Sequence, residues 1–90
     1  MHAAIVKANL PGGVNEARIT SLKDKVVPMV SGAPGFVAGY WCDAVGDKGL
    51  AFIVFNDEAS AKAAVPPAGA DMGEGVTIES VEFREILANA

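Results

Sequence analysis

The chain has 90 residues, of which 51% are hydrophobic and 20% are charged, and its formal net charge is −4 at pH 7. This length predicts a single domain, residues 1–90, with no room for a second. The acidic balance and the scattered cations disfavour nucleic-acid binding, because phosphate contacts need clustered positive charge.

The apolar content is high for so short a chain. An average soluble domain is about 45–50% apolar with glycine counted in, whereas the 51% here leaves glycine out. A small monomer buries a limited share of its surface, so a membrane or a partner subunit should cover the rest. Every stretch of about 18 residues contains a charged residue or a proline, which argues against a membrane span. We therefore expect a homodimer, and the lack of a secretory signal pattern predicts a cytoplasmic location.

The chain has few residues that could bind a metal ion or form a disulfide bond. There is one cysteine, Cys42, and one histidine, His2. A disulfide within one chain is impossible, and a structural zinc site needs more Cys and His ligands than these. We expect no metal ion and no cofactor.

The first third of the chain predicts a strand followed by a helix. Residues 3–10 (AAIVKANL) are apolar at both odd and even positions, which is typical of a strand covered on both faces. Asn15 is a good helix N-cap. Apolar residues then recur at helical spacing, at Ile19, Leu22, Val26 and Met29. Pro28 should kink the last turn or begin a new one, and Gly32 should end the helix in a left-handed conformation.

The middle of the chain predicts a hairpin. Residues 35–44 (GFVAGYWCDA) and 50–55 (LAFIVF) are aromatic-rich and apolar, and the Gly-containing residues 46–49 predict a turn between them. Gly39 lies inside the first of these strands. A glycine there indicates that a backbone, a side chain or a ligand approaches closely.

The last third predicts a short helix and a final strand. Asn56 or Asp57 should cap a helix through EASAKAAV, and Pro66-Pro67 should stop it. Residues 68–75 predict a loop and residues 76–87 a strand. The apolar positions of that strand change parity midway, so we expect a β-bulge near Glu79-Ser80.

The order of these elements is β-α-β-β-α-β. This order predicts a ferredoxin-like α+β domain, in which an antiparallel sheet carries both helices on one face. The second face of the sheet is also apolar and has no helix to cover it. Packing two such faces together would close a dimeric α/β barrel, with the second copy as the partner.

With its elements in this order, the chain also resembles a known superfamily. The run VVPMVSGAPGFVAGYW followed by GLAFIVFNDEASAKAA resembles the antibiotic-biosynthesis-monooxygenase-like domains of the dimeric α/β barrel superfamily, and the likeness in element order covers nearly the whole chain. The superfamily contains cofactor-independent monooxygenases, haem-degrading oxygenases, isomerases, ligand-binding regulators and members without an assigned role. The resemblance therefore implies a fold and an assembly, and it does not imply one activity.

The site residues of the enzymatic members match only in part. Haem-degrading members use an Asn on the first strand, a Trp where the third strand meets the second helix, and a His on that helix. Asn9 matches the first, Phe55 stands near the Trp position, and the helix has no His. Cofactor-independent members surround a polyaromatic substrate with Asn, Trp and Tyr groups, for which Asn9, Tyr40 and Trp41 are the right types.

Each candidate residue also has an ordinary structural explanation. Asn9 would hold a carbonyl or anionic oxygen of a ligand, or it would bond the loop backbone before Pro11. Tyr40 and Trp41 are adjacent on a strand, so they point to opposite faces, and only one of them should face a given pocket. His2 is the only imidazole available as a general base, and its ordinary role would be at the surface or at a strand end. Cys42 has no visible activating partner, so we expect a small buried apolar side chain.

We expect a homodimer that binds a small apolar or aromatic molecule in the cleft between the sheet and the helices. The expected pocket residues are Asn9, Tyr40, Trp41 and Phe55. A first alternative is a cofactor-independent monooxygenase acting on a phenolic or quinol-type substrate, with Asn9, Trp41, Tyr40 and His2 as catalytic candidates. A second alternative is a structural or interaction module without a ligand. The sequence leaves open the ligand and whether any catalysis occurs.

Overall fold

The computed structural model describes residues 1–90, which is the whole chain. Its strands are β1 (His2–Asn9), β2 (Phe36–Val45), β3 (Lys48–Phe55), β4 (Asp71–Gly73) and β5 (Val76–Glu85). The first helix, α1, comprises three consecutive segments, Glu16–Ser21, Leu22–Val26 and Val27–Ser31, and the second helix, α2, is Glu58–Ala64.

The five strands form one antiparallel sheet in the order β2-β3-β1-β5-β4. Both helices pack on the same face of it. Val30 of α1 and Ala61 of α2 belong to one hydrophobic cluster with Ala4 of β1 and Ile53 of β3, which stand opposite each other in the sheet. The predicted α+β class is confirmed, and the strand order is consistent with a ferredoxin-like domain extended by one short edge strand. None of the helices has both the length and the apolar character that crossing a membrane requires.

Both predicted helix caps are present. The side chain of Asn15 accepts a hydrogen bond from the Arg18 amide at 2.9 Å. The side chain of Asp57, rather than that of Asn56, accepts one from the Ser60 amide at 2.7 Å. Each bond satisfies a backbone donor that the first turn of a helix leaves without an intrahelical partner.

The predicted irregularity in α1 is also present. The segment Leu22–Val26 is a π-helix, closed by a hydrogen bond from the Val27 amide to the Leu22 carbonyl five residues earlier. Pro28 follows at the start of the last segment. Because proline has no N–H, the carbonyl of Asp24 loses its normal helical donor, and the regular helix cannot continue through this point. Pro28 therefore begins a new helical segment, which is the second of the two outcomes expected for it.

The predicted end of α1 is wrong in one respect. Gly32 is right-handed, with φ −82° and ψ −6°, and its amide still bonds the Pro28 carbonyl at 3.1 Å. The left-handed conformation falls instead on Gly35, with φ +83°. The chain therefore reverses three residues later than expected, after Pro34 has prevented further helix.

The bulge in the last strand is confirmed. In the pairing of β1 with β5, Lys7 stands opposite Ser80 and Ala8 stands opposite Ile78. Glu79 is thus the extra residue. Before it and after it, residues of opposite parity face a given side of the sheet, as the apolar pattern of β5 indicated.

Two predictions in the C-terminal third need correction. Residues 68–75 were expected to form a loop only, but they contain β4, which pairs Asp71 with Thr77. All three residues of β4 are exposed, so no apolar alternation marks the strand in the sequence. The last strand ends at Glu85 rather than at residue 87, and Leu87 is 92% exposed.

The buried core is small. Only 12 of the 90 residues are buried, and Phe55 is the one large side chain that is fully buried. Most of the others are Ala or Val, and Val30 is the only buried residue of α1. The helix therefore contacts the sheet closely near its C-terminal end only, and the rest of its inner face lies over an open space.

Candidate functional site

The open space between α1 and the sheet is a cleft of about 780 Å³, lined by 27 residues of which 18 are hydrophobic. Its floor is made by small residues of the sheet, including Ala8, Gly49 and Ala51, and its roof by larger residues of α1, including Leu22 and Val26. Because the floor side chains are short, they do not fill the distance to the helix. The result is a cavity where a closed core would otherwise be.

The roof of the cleft is the apolar helix face that the sequence predicted. The face is only partly covered, since Ile19 is 39% exposed and Met29 is 57% exposed. The π-helical segment contributes to this roof, and such segments frequently occur at functional sites. Met29 and Met72 both line the cleft, and the flexible thioether chain of methionine adapts to ligands of different shape.

Trp41 is the one predicted pocket residue that lines the cleft. Its ring lies against Gly39, where a Cβ atom would come within 2.7 Å of it. The expectation that Gly39 marks a close approach is thus confirmed, and the approaching group is the Trp41 ring. The missing side chain at Gly39 gives the ring the room to lie along the strand, on the helix side of the sheet.

The other three predicted pocket residues lie elsewhere. Phe55 is fully buried and contacts Phe36 edge to face, with ring centroids 6.1 Å apart; it belongs to the core and does not line the cleft. Tyr40 is 63% exposed on the sheet face that carries no helix, which we call the open face. Asn9 also lies on the open face. The structure therefore does not bring the four residues together.

Asn9 is held by side chains from both neighbouring strands. Its amide nitrogen donates to the Thr77 hydroxyl at 3.1 Å, and its amide oxygen accepts from the Lys48 ammonium. Lys48 also pairs with Glu79, at 2.9 Å. The expected bond to the loop backbone before Pro11 is wrong, because the side chain points across the sheet rather than along the chain. This network joins β3, β1 and β5 at one end of the open face.

His2 lies at the other end of β1, beside α2. Its Nε2 atom is 3.4 Å from a carboxylate oxygen of Glu58. The ammonium of Lys62 holds the pKa of Glu58 below its ordinary value, mainly through a hydrogen bond and also through its positive charge. His2 does not line the cleft, so this cluster is separate from the cavity.

Cys42 follows Trp41 on the same strand, and it also borders the cleft. It is exposed, so the expectation of a buried apolar side chain is wrong for a single copy of the chain. The neighbouring strand places Leu50, itself 40% exposed, opposite Cys42. No three His, Cys, Asp or Glu side chains lie close enough together to hold a metal ion.

Charged residues border the cleft without pairing with one another. Arg18 is half-buried and donates to the backbone carbonyls of Gly13 and Glu74, which ties the β1–α1 connection to the turn between β4 and β5. Lys23 and Lys25 also line the cleft. These cations were not among the predicted site residues. The signal that was available is their position on the same helix as the apolar stripe.

Comparison with known proteins adds no relative. No family model matches the chain, and neither the curated proteins nor the solved structures include a match. The resemblance to the dimeric α/β barrel superfamily stays a prediction.

Proposed function

We propose that the protein is a cytoplasmic homodimer of the dimeric α/β barrel type, and that each copy binds one small apolar or aromatic molecule in the cleft between α1 and the sheet. The observation that carries the binding proposal is the cleft of about 780 Å³ with mainly hydrophobic lining. Small-molecule pockets are typically about 300–1,000 Å³ and mostly apolar, with a few polar groups.

The composition of the lining supports an aromatic or branched apolar ligand. The indole of Trp41 offers a flat face at one wall, and the side chains of Leu22, Val26 and Met29 offer aliphatic contact at the roof. Transfer of apolar ligand surface from water to such a lining is favourable by roughly 25 cal/mol per Å². The cleft is also open to solvent, which gives a molecule a way in.

The open face supports the dimer. Phe52 of β3 stands between Ile5 of β1 and Tyr40 of β2, so one apolar row crosses three strands. Phe52 and Tyr40 are 37% and 63% exposed in a single copy. An apolar row of this extent on an uncovered sheet face is typical of an interface between subunits. A second copy, related by a twofold axis, presents the same row and covers it.

The two alternatives have less support. A cofactor-independent monooxygenase needs its Asn, Trp and Tyr groups around one substrate, but of Asn9, Trp41 and Tyr40 only Trp41 lines the cleft. A module without a ligand needs a core filled by side chains, and a cleft of this size is not such a core.

Titration with the neutral fluorophore 1-pyrenebutanol tests the binding proposal. Trp41 is the only tryptophan, so quenching of its emission by energy transfer to the pyrene reports binding to the protein, and the variants locate the site. We expect saturable quenching at micromolar concentrations. The variant Ala8→Phe places a large ring on the floor and should weaken binding at least about tenfold, which is about 1.4 kcal/mol.

The matched control is Ala17→Phe. Ala17 is exposed on the same helix that forms the roof, and it does not line the cleft. Its substitution adds the same ring and should leave the dissociation constant within about twofold of the wild-type value. If 1-pyrenebutanol does not bind to the wild-type protein, or if both variants bind equally well, the binding proposal is wrong.

A further inference from the structure

The charges around the cleft differ in sign from the charge of the whole chain. Three of the seven Lys and Arg residues line it, namely Arg18, Lys23 and Lys25, but only two of the eleven Asp and Glu residues do so. The chain as a whole carries −4. The cleft is therefore a locally cationic site on an acidic protein.

None of these three cations is neutralised by a carboxylate. The Lys and Arg ion pairs of the structure join Lys48 to Glu79, Lys62 to Glu58 and Arg84 to Glu82, and His2 lies beside Glu58. All of them lie away from the cleft. The side-chain hydrogen bonds of Arg18 go only to backbone carbonyls, which carry no formal negative charge.

Arg18 is placed to hold an anionic group. It is half-buried at the end of the cleft near Gly13 and Glu74, and two of its five N–H donors are used on those carbonyls. The remaining donors are available to an oxygen ligand, and a carboxylate matches the fork of a guanidinium. Lys23 and Lys25 are exposed and two residues apart, so they leave α1 on different sides and raise the positive potential along the rim.

The two acidic residues of the lining do not form ion pairs with these cations. The carboxylate of Asp43 accepts a hydrogen bond from the neighbouring Ala44 amide at 2.8 Å, which holds it beside its own strand. Glu74 meets Arg18 through its backbone carbonyl and makes no ion pair. Asp24, which lies between the two lysines in the sequence, does not line the cleft.

We propose that the cleft selects a monoanionic amphiphile, an apolar or aromatic body that carries one carboxylate, with the carboxylate at Arg18. This inference rests on the proposed binding function and adds the charge of the ligand to it. The apolar body occupies the space between Leu22, Val26 and Trp41. The acid group remains at the end of the cleft, where the guanidinium and water both reach it.

Three ligands with the same pyrene body separate the contributions of charge and apolar contact. They are 1-pyrenebutanoate, the neutral 1-pyrenebutanol and the protonated 1-pyrenebutylamine, each titrated at pH 7 and low salt. The net charge of −4 would by itself favour the amine. We expect the opposite order, with the carboxylate binding about tenfold tighter than the alcohol and the amine binding most weakly. At about 0.5 M salt the difference should shrink, because exposed charges are screened.

Variants locate the charge that matters. Arg18→Gln should remove most of the preference for the carboxylate over the alcohol, and Lys23→Gln should reduce it about twofold. Lys62→Gln is the control, since it removes one positive charge outside the cleft and should leave the preference unchanged. Because Arg18 also ties two loops together, the thermal unfolding of the Arg18→Gln variant is measured as well. Lys23 is exposed and ties no loops together, so Lys23→Gln tests the preference for the carboxylate without that complication.

The outcomes distinguish this inference from the proposed function. If the alcohol and the carboxylate bind equally well and are both weakened by Ala8→Phe, the cleft binds ligands without selecting for charge, and this inference is overturned alone. Tightest binding of the amine also overturns it. If none of the three ligands binds, the proposed function is overturned and this inference with it.

Discussion

Tyr40 and Trp41 are neighbours in the sequence, and the sheet places them on opposite faces. Alternation along a strand predicts this separation, but it does not say which residue faces the helices. The pairing of β2 with β3 shows why. Phe36 stands opposite Phe55 and Ala38 opposite Val54, so Val37 is an extra residue that shifts the parity. Counting from Phe36 without this bulge would have directed Tyr40 to the helices. The bulge directs Trp41 there instead.

The contact between Trp41 and Gly39 leads to a prediction at the scale of one residue. A Cβ atom at Gly39 would come within 2.7 Å of the indole, so the variant Gly39→Ala should displace the ring from the wall of the cleft. Because the ring end of the side chain can move, we expect a modest loss of stability, about 1 kcal/mol. The emission maximum of this single tryptophan should shift, and binding of 1-pyrenebutanol should weaken.

A second glycine provides the control for this variant. Gly32 also has a negative φ, and a Cβ atom there would meet the Pro28 carbonyl and no aromatic ring. Gly32→Ala should leave the emission spectrum unchanged. An unchanged spectrum for Gly39→Ala as well would show that Trp41 does not depend on the space at Gly39.

At the scale of elements, the local signals in the sequence were sufficient for the helix caps, the new segment at Pro28 and the bulge at Glu79. Each depends on residues within one or two turns of the chain, or on parity within one strand. The cleft was less accessible to sequence reasoning. The spacing of Ile19, Leu22 and Val26 predicts an inward face, but it does not show whether the opposing floor has side chains large enough to meet it. That depends on which strands pair, through contacts distant in the sequence.

The cap of α2 predicts a dependence of stability on pH. The pKa of Asp57 lies below its ordinary value of 3.8, chiefly because its carboxylate accepts the Ser60 amide. A carboxyl group whose pKa is lowered by folding stabilises the protein above the unfolded pKa, and this contribution is lost as the pH falls through the folded pKa. The variant Asp57→Ala should therefore unfold several degrees below the wild type at pH 7. The gap should narrow below about pH 4.

Calorimetry of both proteins from pH 7 to pH 2.5 measures this gap. Asp24→Ala is the control, because Asp24 is exposed on α1 and makes no capping hydrogen bond; its unfolding temperature at pH 7 should not fall. A gap between Asp57→Ala and the wild type that stays constant over the whole range would show that the charged form of Asp57 does not carry the stabilisation.

At the scale of the whole molecule, the two faces of the sheet differ in what covers them. The helix face supports the cleft, and the open face carries an apolar row that a single chain leaves in water. The sequence predicted apolar residues on both faces because strands such as β1 lack alternation, as Ala3 and Ala4 both being buried illustrates. It did not predict that Asn9 belongs to the open face, since one polar residue at a strand end carries no information about its side.

The separation of the two faces yields a paired prediction. Phe52→Lys places a charge in the middle of the apolar row and, in a twofold dimer, places two such charges close together. The dimer dissociation constant should rise at least about 100-fold, or about 2.7 kcal/mol. Met29→Lys makes the same chemical change at a residue that is 57% exposed but lines the cleft. It should leave the dimer intact and weaken the binding of 1-pyrenebutanol.

Sedimentation velocity at about 1–100 μM, together with the pyrene titration, measures both effects in the same two variants. Loss of the dimer only in Phe52→Lys, with loss of binding only or mainly in Met29→Lys, would assign one function to each face. If Phe52→Lys remains dimeric, the subunits meet through another surface. If the wild-type protein is monomeric at these concentrations, the apolar row is not an interface between copies of this chain, and the barrel assembly is excluded.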